Sequence, residues 1–326
     1  MNSLWIDKMG NIEKCTDTNL RSSYCPSFKC RKEVYVDKHA NGLKNGSSWE
    51  DAYNDLQTAI NKHPYNTIKI KGYGRADSYT GGLKTKGCTH LVGTEDTWIS
   101  GAGYNKTTHG FYYDVSTHYP TVYSKFENIS IRDCCVGFRN YWQTQFINCK
   151  VEYCYSGWDY LRRVDIENCS ALNCIYGVQY CYQSKILNFQ VVHTDNTVVY
   201  SAYSGFHACN TSTFTNCYVK KFSRGFDNDT YDNIYTNCEA DSCYNYGFMS
   251  NNSQIIECRA HHCGVGFAGH TGDTFTRCNA YSNKGCGFMN YYGNNATYVD
   301  CTQSGNCTDQ YNNCTPSHPD YLCVSI

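Results

Sequence analysis

The chain has 326 residues, with 28 Lys+Arg against 29 Asp+Glu, a formal net charge of −1, 23 Cys, 31 Tyr and only 5 Pro. The charge balance excludes a nucleic-acid binder, which needs a basic excess or patch, and no stretch approaches the roughly 18 apolar residues of a membrane-spanning helix. So much cysteine is usual in small disulfide scaffolds, yet a chain of this length buries a core without staples, so the cysteines need another explanation.

Residues 1–33 read as a cysteine-containing extension or attachment segment, with Cys15, Cys25 and Cys30 bridged or free at the surface. Met1 to Lys8 has no basic start followed by an apolar run, so no secretory signal peptide is recognisable. Because 23 is odd, at least one thiol cannot pair within the chain. Glu33 to Asp37 reads as a strand, and residues 41–46 as a Gly/Asn loop. Ser47 and Glu50 have capping-box spacing, and Trp49, Tyr53, Leu56 and Ile60 fall on one helical face, which predicts a helix starting at Ser47. A strand over 67–70 follows. A helix here, within a cap over about 34–70, would cover the apolar core and unpaired edges of a first coil.

From Phe126 onward the sequence repeats. Gly followed by an apolar residue recurs at Gly137, Gly157, Gly177, Gly205, Gly225, Gly247, Gly266 and Gly287, at spacings of 20, 20, 28, 20, 22, 19 and 21. A second column runs Cys149, Cys169, Phe189, Cys217, Cys238, Cys258, Cys278 and Cys301, with Ile129 before it. Its members stand nine or ten residues before the apolar residue, Phe189 excepted. A third column lies three residues earlier (Phe126, Phe146 and Ile166 open it), and a fourth lies two residues after the cysteines (Ile131, Val151 and Ala171 open it). Period-3.6 faces and a leucine framework are both missing, which sets aside helical and leucine-rich repeats. Short alternating pieces such as Cys149-Lys150-Val151 read as strands. Three of them per coil of about 20 residues give a parallel β-helix, all-β, in which equivalent residues stack about 4.8 Å apart. The residue before the cysteine column is Asn at 128, 148, 168, 188, 216 and 237, where the chain must bend in the left-handed conformation that Asn tolerates. The column glycines are expected at another corner for the same backbone freedom.

These columns, the Asn ladder and the "S-W-x-x-A-x-x-D-L-Q-x-A-I" segment resemble the pectin-lyase-like superfamily of right-handed parallel β-helices. The resemblance covers roughly 34–310, with regular coils over about 126–307 and a C-terminal cap or tail over 311–326. It implies a stiff solenoid, and in polysaccharide lyases and hydrolases of this fold it implies a site on an outer groove between coils.

The column cysteines, and Cys134, Cys154, Cys174, Cys243, Cys263 and Cys307 five or six residues on, read as a thiol ladder filling a narrow core. The alternative is a minority of cross-coil disulfides, since stacked positions fall inside the Cα range for such bonds. Cys258, His261, His262 and Cys263 have metal-like residue types, but the core already claims the cysteines. Neither metal nor cofactor is expected.

The column after Gly-apolar reads Arg139, Asp159, Gln179, His207, Asp227, Met249, Ala268 and Met289. Asp159 and Asp227 stand three coils apart, about 14 Å, too far for a glycosidase carboxylate pair. Asp227, Asp229 and Asp232, with Glu239 and Asp241 after them, form a denser acidic group. It reads either as a catalytic or Ca²⁺-chelating cluster or as a solvated turn. Insertions over 193–203 and around 113–123 leave the solenoid where binding is usually hosted. Tyr141, Trp142, Tyr155, Tyr160, Tyr180, Tyr182, Tyr200 and Tyr203 lie outside the core columns. Of these Tyr160, Tyr180, Tyr200 and Tyr203, with His207, are the expected ligand-binding residues, since aromatic faces suit sugar rings and protein interfaces. The function expected is a structural and adhesive rod, virion-borne (tailspike, fibre or capsid-associated) or at a cell surface, that recognises surface glycans. Other virion proteins and a homotrimer are its expected contacts. A polysaccharide lyase or glycoside hydrolase, and a purely structural particle component, are the alternatives.

Overall fold

The computed structural model describes residues 31–103, 107–113, 123–194, 203–227, 231–290 and 296–306, together with the backbone of three short strands, Leu4–Ile6, Ile12–Lys14 and Leu322–Cys323. Three sheets of 12, 11 and 11 strands wrap one interior. From residue 79 onward the chain supplies one strand to each sheet in turn and then returns, so neighbours in a sheet are one coil apart in sequence. The ladders are parallel and in register: Phe126 faces Phe146, Ile131 faces Val151, and Phe138 faces Trp158. The exception in the solenoid is Leu322–Cys323, which pairs antiparallel with Phe288–Asn290 in the third sheet. The fold is the parallel β-solenoid that the repeat predicts.

The first coil departs from the rest. Glu33–Val36 and Thr67–Ile70 pair directly, and the segment between them carries the helix. That helix is shorter than expected. It runs Leu56–Lys62 and is capped by Asp55, whose carboxylate accepts from the Thr58 amide. Ser47 does not cap it; residues 47–51 form turns, and Tyr53 bridges to Val36. The strand-like pairing of Tyr53 outcompetes the helical face that its spacing suggested, leaving Leu56, Ala59 and Ile60 to cover the core end.

The columns are the core. Phe206, Phe226, Phe248, Phe267 and Phe288 stack face to face, with centroids 4.4–5.0 Å apart and planes within 14°. A second stack, including Phe126–Phe146 and Phe214–Tyr235, meets the first edge-on. Phe189 fills the place of a cysteine and packs edge-on against Trp158, replacing thiol volume with a ring. Tyr141, expected outside the core, is fully buried and shares a hydrogen bond with Thr85 Oγ1 at 2.8 Å.

Every residue of the Asn column has positive φ, and so do Glu257, Arg277 and Asp300 that continue it. Asn side chains donate from one coil to the next, Asn188 to Asn168 at 2.9 Å and Asn237 to Asn216 at 2.8 Å, and an Arg277–Glu257 ion pair prolongs the ladder. The glycine column works differently from expectation. Gly137 to Gly266 do not have positive φ; instead, a Cβ at each would lie 2.5–2.7 Å from the carbonyl oxygen of the next glycine in the column. Steric closeness between coils, not conformational freedom, excludes a side chain there.

Among the described residues fifteen cysteines are free thiols, all but Cys135 buried. Cys181 and Cys209 add a thiol pair outside the columns read from the sequence. Burial pushes the thiols of Cys154, Cys169, Cys209 and Cys217 well above the usual range, so they stay protonated and inert. Cys88 and Cys286 are disulfide-bonded.

Candidate functional site

The third sheet carries a row of aromatic and charged side chains on its flank. Its strands put Arg139, Asp159, Gln179 and His207 opposite one another on successive coils, and Asp227 follows Phe226, the partner of Phe206. Further along, this row turns apolar: Met249, Ala268 and Met289 are buried together with Cys286. The polar row therefore ends at Asp227.

Two residues beyond the apolar stack the chain turns through a left-handed corner occupied by Asn140, Tyr160, Tyr180 and Ala208. That corner swings the two tyrosines onto the flank. Tyr160 and Tyr180 stack with centroids 4.8 Å apart and planes 22° apart. Tyr180 meets the His207 ring edge-on at 5.9 Å, His207 stacks on Tyr176 at 5.2 Å, and Tyr176 meets Tyr155 at 5.6 Å. Five rings on three coils, two on each of the first two and His207 on the third, thus form one connected strip. The Arg139 guanidinium extends it, lying 5.7 Å from the centre of Tyr160. Tyr160 and Tyr155 are among the exposed large side chains, while Tyr180 and Tyr176 are half-buried.

Beneath the strip lies a buried charge network. Asp227 Oδ2 accepts from His207 Nδ1 and Ser204 Oγ, each at 2.7 Å, and Oδ1 accepts from Arg224 at 2.9 Å. Burial alone would raise this carboxyl, but the hydrogen bonds from His207 and Ser204 and the Arg224 charge outweigh it and hold it at about 2. His207 donates from Nδ1 to Asp227, so the carboxylate fixes the orientation of the ring, the arrangement of a carboxylate-oriented base. Asp159 behaves in the opposite way. Burial pushes it up to about 6, against the opposing charge of Arg139, whose Nε is 3.6 Å away.

Of the expected ligand-binding residues, Tyr160, Tyr180 and His207 come together. Tyr203 instead sits half-buried against the core, and Tyr200 lies outside the described residues, as do 195–202 of the insertion and 114–122 of the earlier one. Among the acidic candidates, Asp227 is buried in the network above, and Asp229 lies outside the described residues. Asp232 is an exposed corner residue with φ 59°, accepting from Asn252 in the coil above. Asp241 and Glu239 belong to the second sheet, so Asp227 does not share a cluster with them. Tyr176 and Ser204 escaped the sequence reading, which placed Tyr155 outside the core columns without assigning it to ligand binding. Tyr176 and Ser204 share one register position, two residues before the apolar stack, a column too mixed in residue type to be read from spacing.

No family model and no curated protein matches the chain. Solved structures do. The lacto-N-biosidase of family GH136 from Eubacterium ramulus is similar to it over 84% of this chain and 67% of that one, at 10% identity and a TM-score of 0.51. Pectate lyase Pel9A matches over 84% and 78% at 17% identity and a TM-score of 0.47, and the Dettilon tailspike protein over 84% and 61% at 11% identity and a TM-score of 0.46. At such identities the likeness is one of fold and does not carry an activity across. With three parallel sheets wound coil upon coil, an Asn ladder at one corner and aromatic stacks inside, the chain has the pectin-lyase-like right-handed parallel β-helix fold.

Proposed function

We propose that this protein is a rigid, glycan-recognising β-helix, displayed on a virion or cell surface, and that the strip Tyr155–Tyr176–His207–Tyr180–Tyr160 with Arg139 is where the saccharide lies. The observation that carries the reading is the continuity of the strip. Rings linked at centroid distances of 4.8–5.9 Å across successive coils give apolar faces at roughly the repeat of a sugar chain, beside buried polar groups that fix orientation. The solenoid beneath supplies rigidity, so the rings cost little ordering on binding. A glycan array should therefore find a ligand for the full chain. The double substitution Tyr160→Ala/Tyr180→Ala should weaken that binding by about 10-fold or more, at about 0.5–1.5 kcal/mol per ring, with an unchanged circular dichroism melt. Undiminished binding in the folded double variant would remove this flank from the reading.

A catalytic reading rests on the Asp227-oriented His207. One base suffices for an elimination, which removes a proton next to a carboxylate, whereas paired-carboxylate hydrolysis is disfavoured by the three coils between Asp159 and Asp227. Product release from acidic polysaccharides, abolished in His207→Ala while binding persists, is the outcome that would favour it. A trimer, the expected assembly, is read from the mass of the full chain in solution.

A further inference from the structure

The second sheet brings together a set of side chains that the glycan reading leaves unused. Asp241 and His261 face each other on adjacent coils, and His262 follows at a left-handed corner with φ 55°. That corner lets two consecutive residues aim their rings at the same point. His261 Nδ1 and His262 Nδ1 are 2.8 Å apart, and Asp241 Oδ1 is 3.4 Å from the first and 3.5 Å from the second. Two ligands about 2.0–2.2 Å from one ion, at bond angles near 90–110°, lie about 2.8–3.5 Å from each other. The triangle has the edges of three cis positions around a single ion.

The surroundings orient each ligand. His261 donates from Nε2 to Glu239 Oε1 at 3.0 Å, which leaves Nδ1 as a lone pair, the pattern by which a carboxylate fixes a metal-binding imidazole. Lys220 and Tyr218 hold Asp241 Oδ2 at 2.7 and 3.0 Å, and Ser242 donates to Oδ1 at 2.7 Å. Tyr281 stacks on the His261 ring at 4.7 Å and fixes its plane. His261 and Asp241 are buried, while His262 is exposed and gives an ion its path in. The neighbouring Cys258 and Cys263 point into the core and belong to the thiol columns, so sulfur takes no part.

We infer that Asp241, His261 and His262 form a two-histidine, one-carboxylate site for a divalent first-row transition ion such as Zn²⁺, with the remaining coordination positions open to solvent. The donor set excludes Ca²⁺ and Mg²⁺ as preferred ions, since these take all-oxygen shells. The test uses the full chain, with Zn²⁺ followed by titration calorimetry and Co²⁺ by absorption. One equivalent should bind, and the Co²⁺ adduct should show d–d bands without thiolate charge transfer. His262→Ala, at an exposed position, and Asp241→Asn should each weaken Zn²⁺ at least 100-fold, and Glu239→Gln by about 10–100-fold, with His262→Ala retaining the wild-type melt. The site is overturned if wild-type protein retains no Zn²⁺, if His262→Ala and Asp241→Asn bind it undiminished, if thiolate bands appear, or if Ca²⁺ binds more tightly.

Discussion

Asp227 shows how one residue can couple stability to the functional surface. Its carboxyl is displaced from 3.8 to about 2 in the folded chain, and its side chain is 2% exposed. Between those two values the unfolded chain binds more protons than the folded one, so stability rises with pH across the window. The contribution is complete above about pH 4, fades as pH falls towards 2, and amounts to about 2 kcal/mol. Asp159 has the reverse sign. Held at about 6, it favours the folded state most below about pH 4 and loses that advantage as pH rises through 6. We therefore expect Asp227→Asn to be less stable than wild type at pH 7 and to lose part of the steep fall between pH 4 and 2, checked by urea midpoints across pH. An unchanged acid limb would mean that other carboxylates carry it.

The repeat column is the element that matters here, and two columns with similarly restricted residues are restricted for different reasons. Asn188 has φ 51° and exchanges hydrogen bonds with Asn168 and Asn216. Gly205 has ordinary φ but no room, since a Cβ there would approach the Gly225 carbonyl to 2.7 Å and a Val219 methyl to 2.5 Å. Asn188→Gly keeps the backbone licence and should cost about 1 kcal/mol, the value of the ladder hydrogen bonds, whereas Asn188→Ala adds the left-handed penalty of about 1–2 kcal/mol. Gly205→Ala should cost about 1–3 kcal/mol through overpacking alone. Thermal or urea unfolding of the three variants gives the comparison, and equal costs for Asn188→Gly and Asn188→Ala would contradict the corner argument.

At the scale of the whole molecule, the cysteines among the described residues separate into two populations. Those inside the coils are free thiols, while Cys88 and Cys286, towards the two ends of the described solenoid, are in disulfides. Parallel register explains the first group: stacked Cβ atoms stay close to the inter-strand spacing of about 4.8 Å, wider than the about 3.8 Å that a disulfide favours. Alkylation after denaturation without reductant should label at least fifteen of the 23 cysteines, read by intact mass. Labelling of fewer than half would show that bridges hold the coils together.

The sequence alone determined the coil, because a solenoid places each residue against its own equivalent and so writes tertiary contacts as a period. Phe226, Cys238 and Asn237 could be assigned to stack, core and corner from spacing, and the burial, stacking and φ values agree. What spacing leaves open is anything that depends on direction within a coil or on contacts between sheets. It could not tell that the column glycines are held by steric closeness, nor that Tyr141 points inward while Tyr160 points out. Tyr53 bridges to a strand instead of continuing the helix that its spacing suggested. The grouping of side chains into sites was equally out of reach. Asp227 and Asp241, near in sequence, are separated onto different sheets, and His207 joins the first while His261 joins the second. Three-dimensional winding decides this, since successive strands go to different sheets and every third strand returns to the same one, where residues some 20 apart become neighbours.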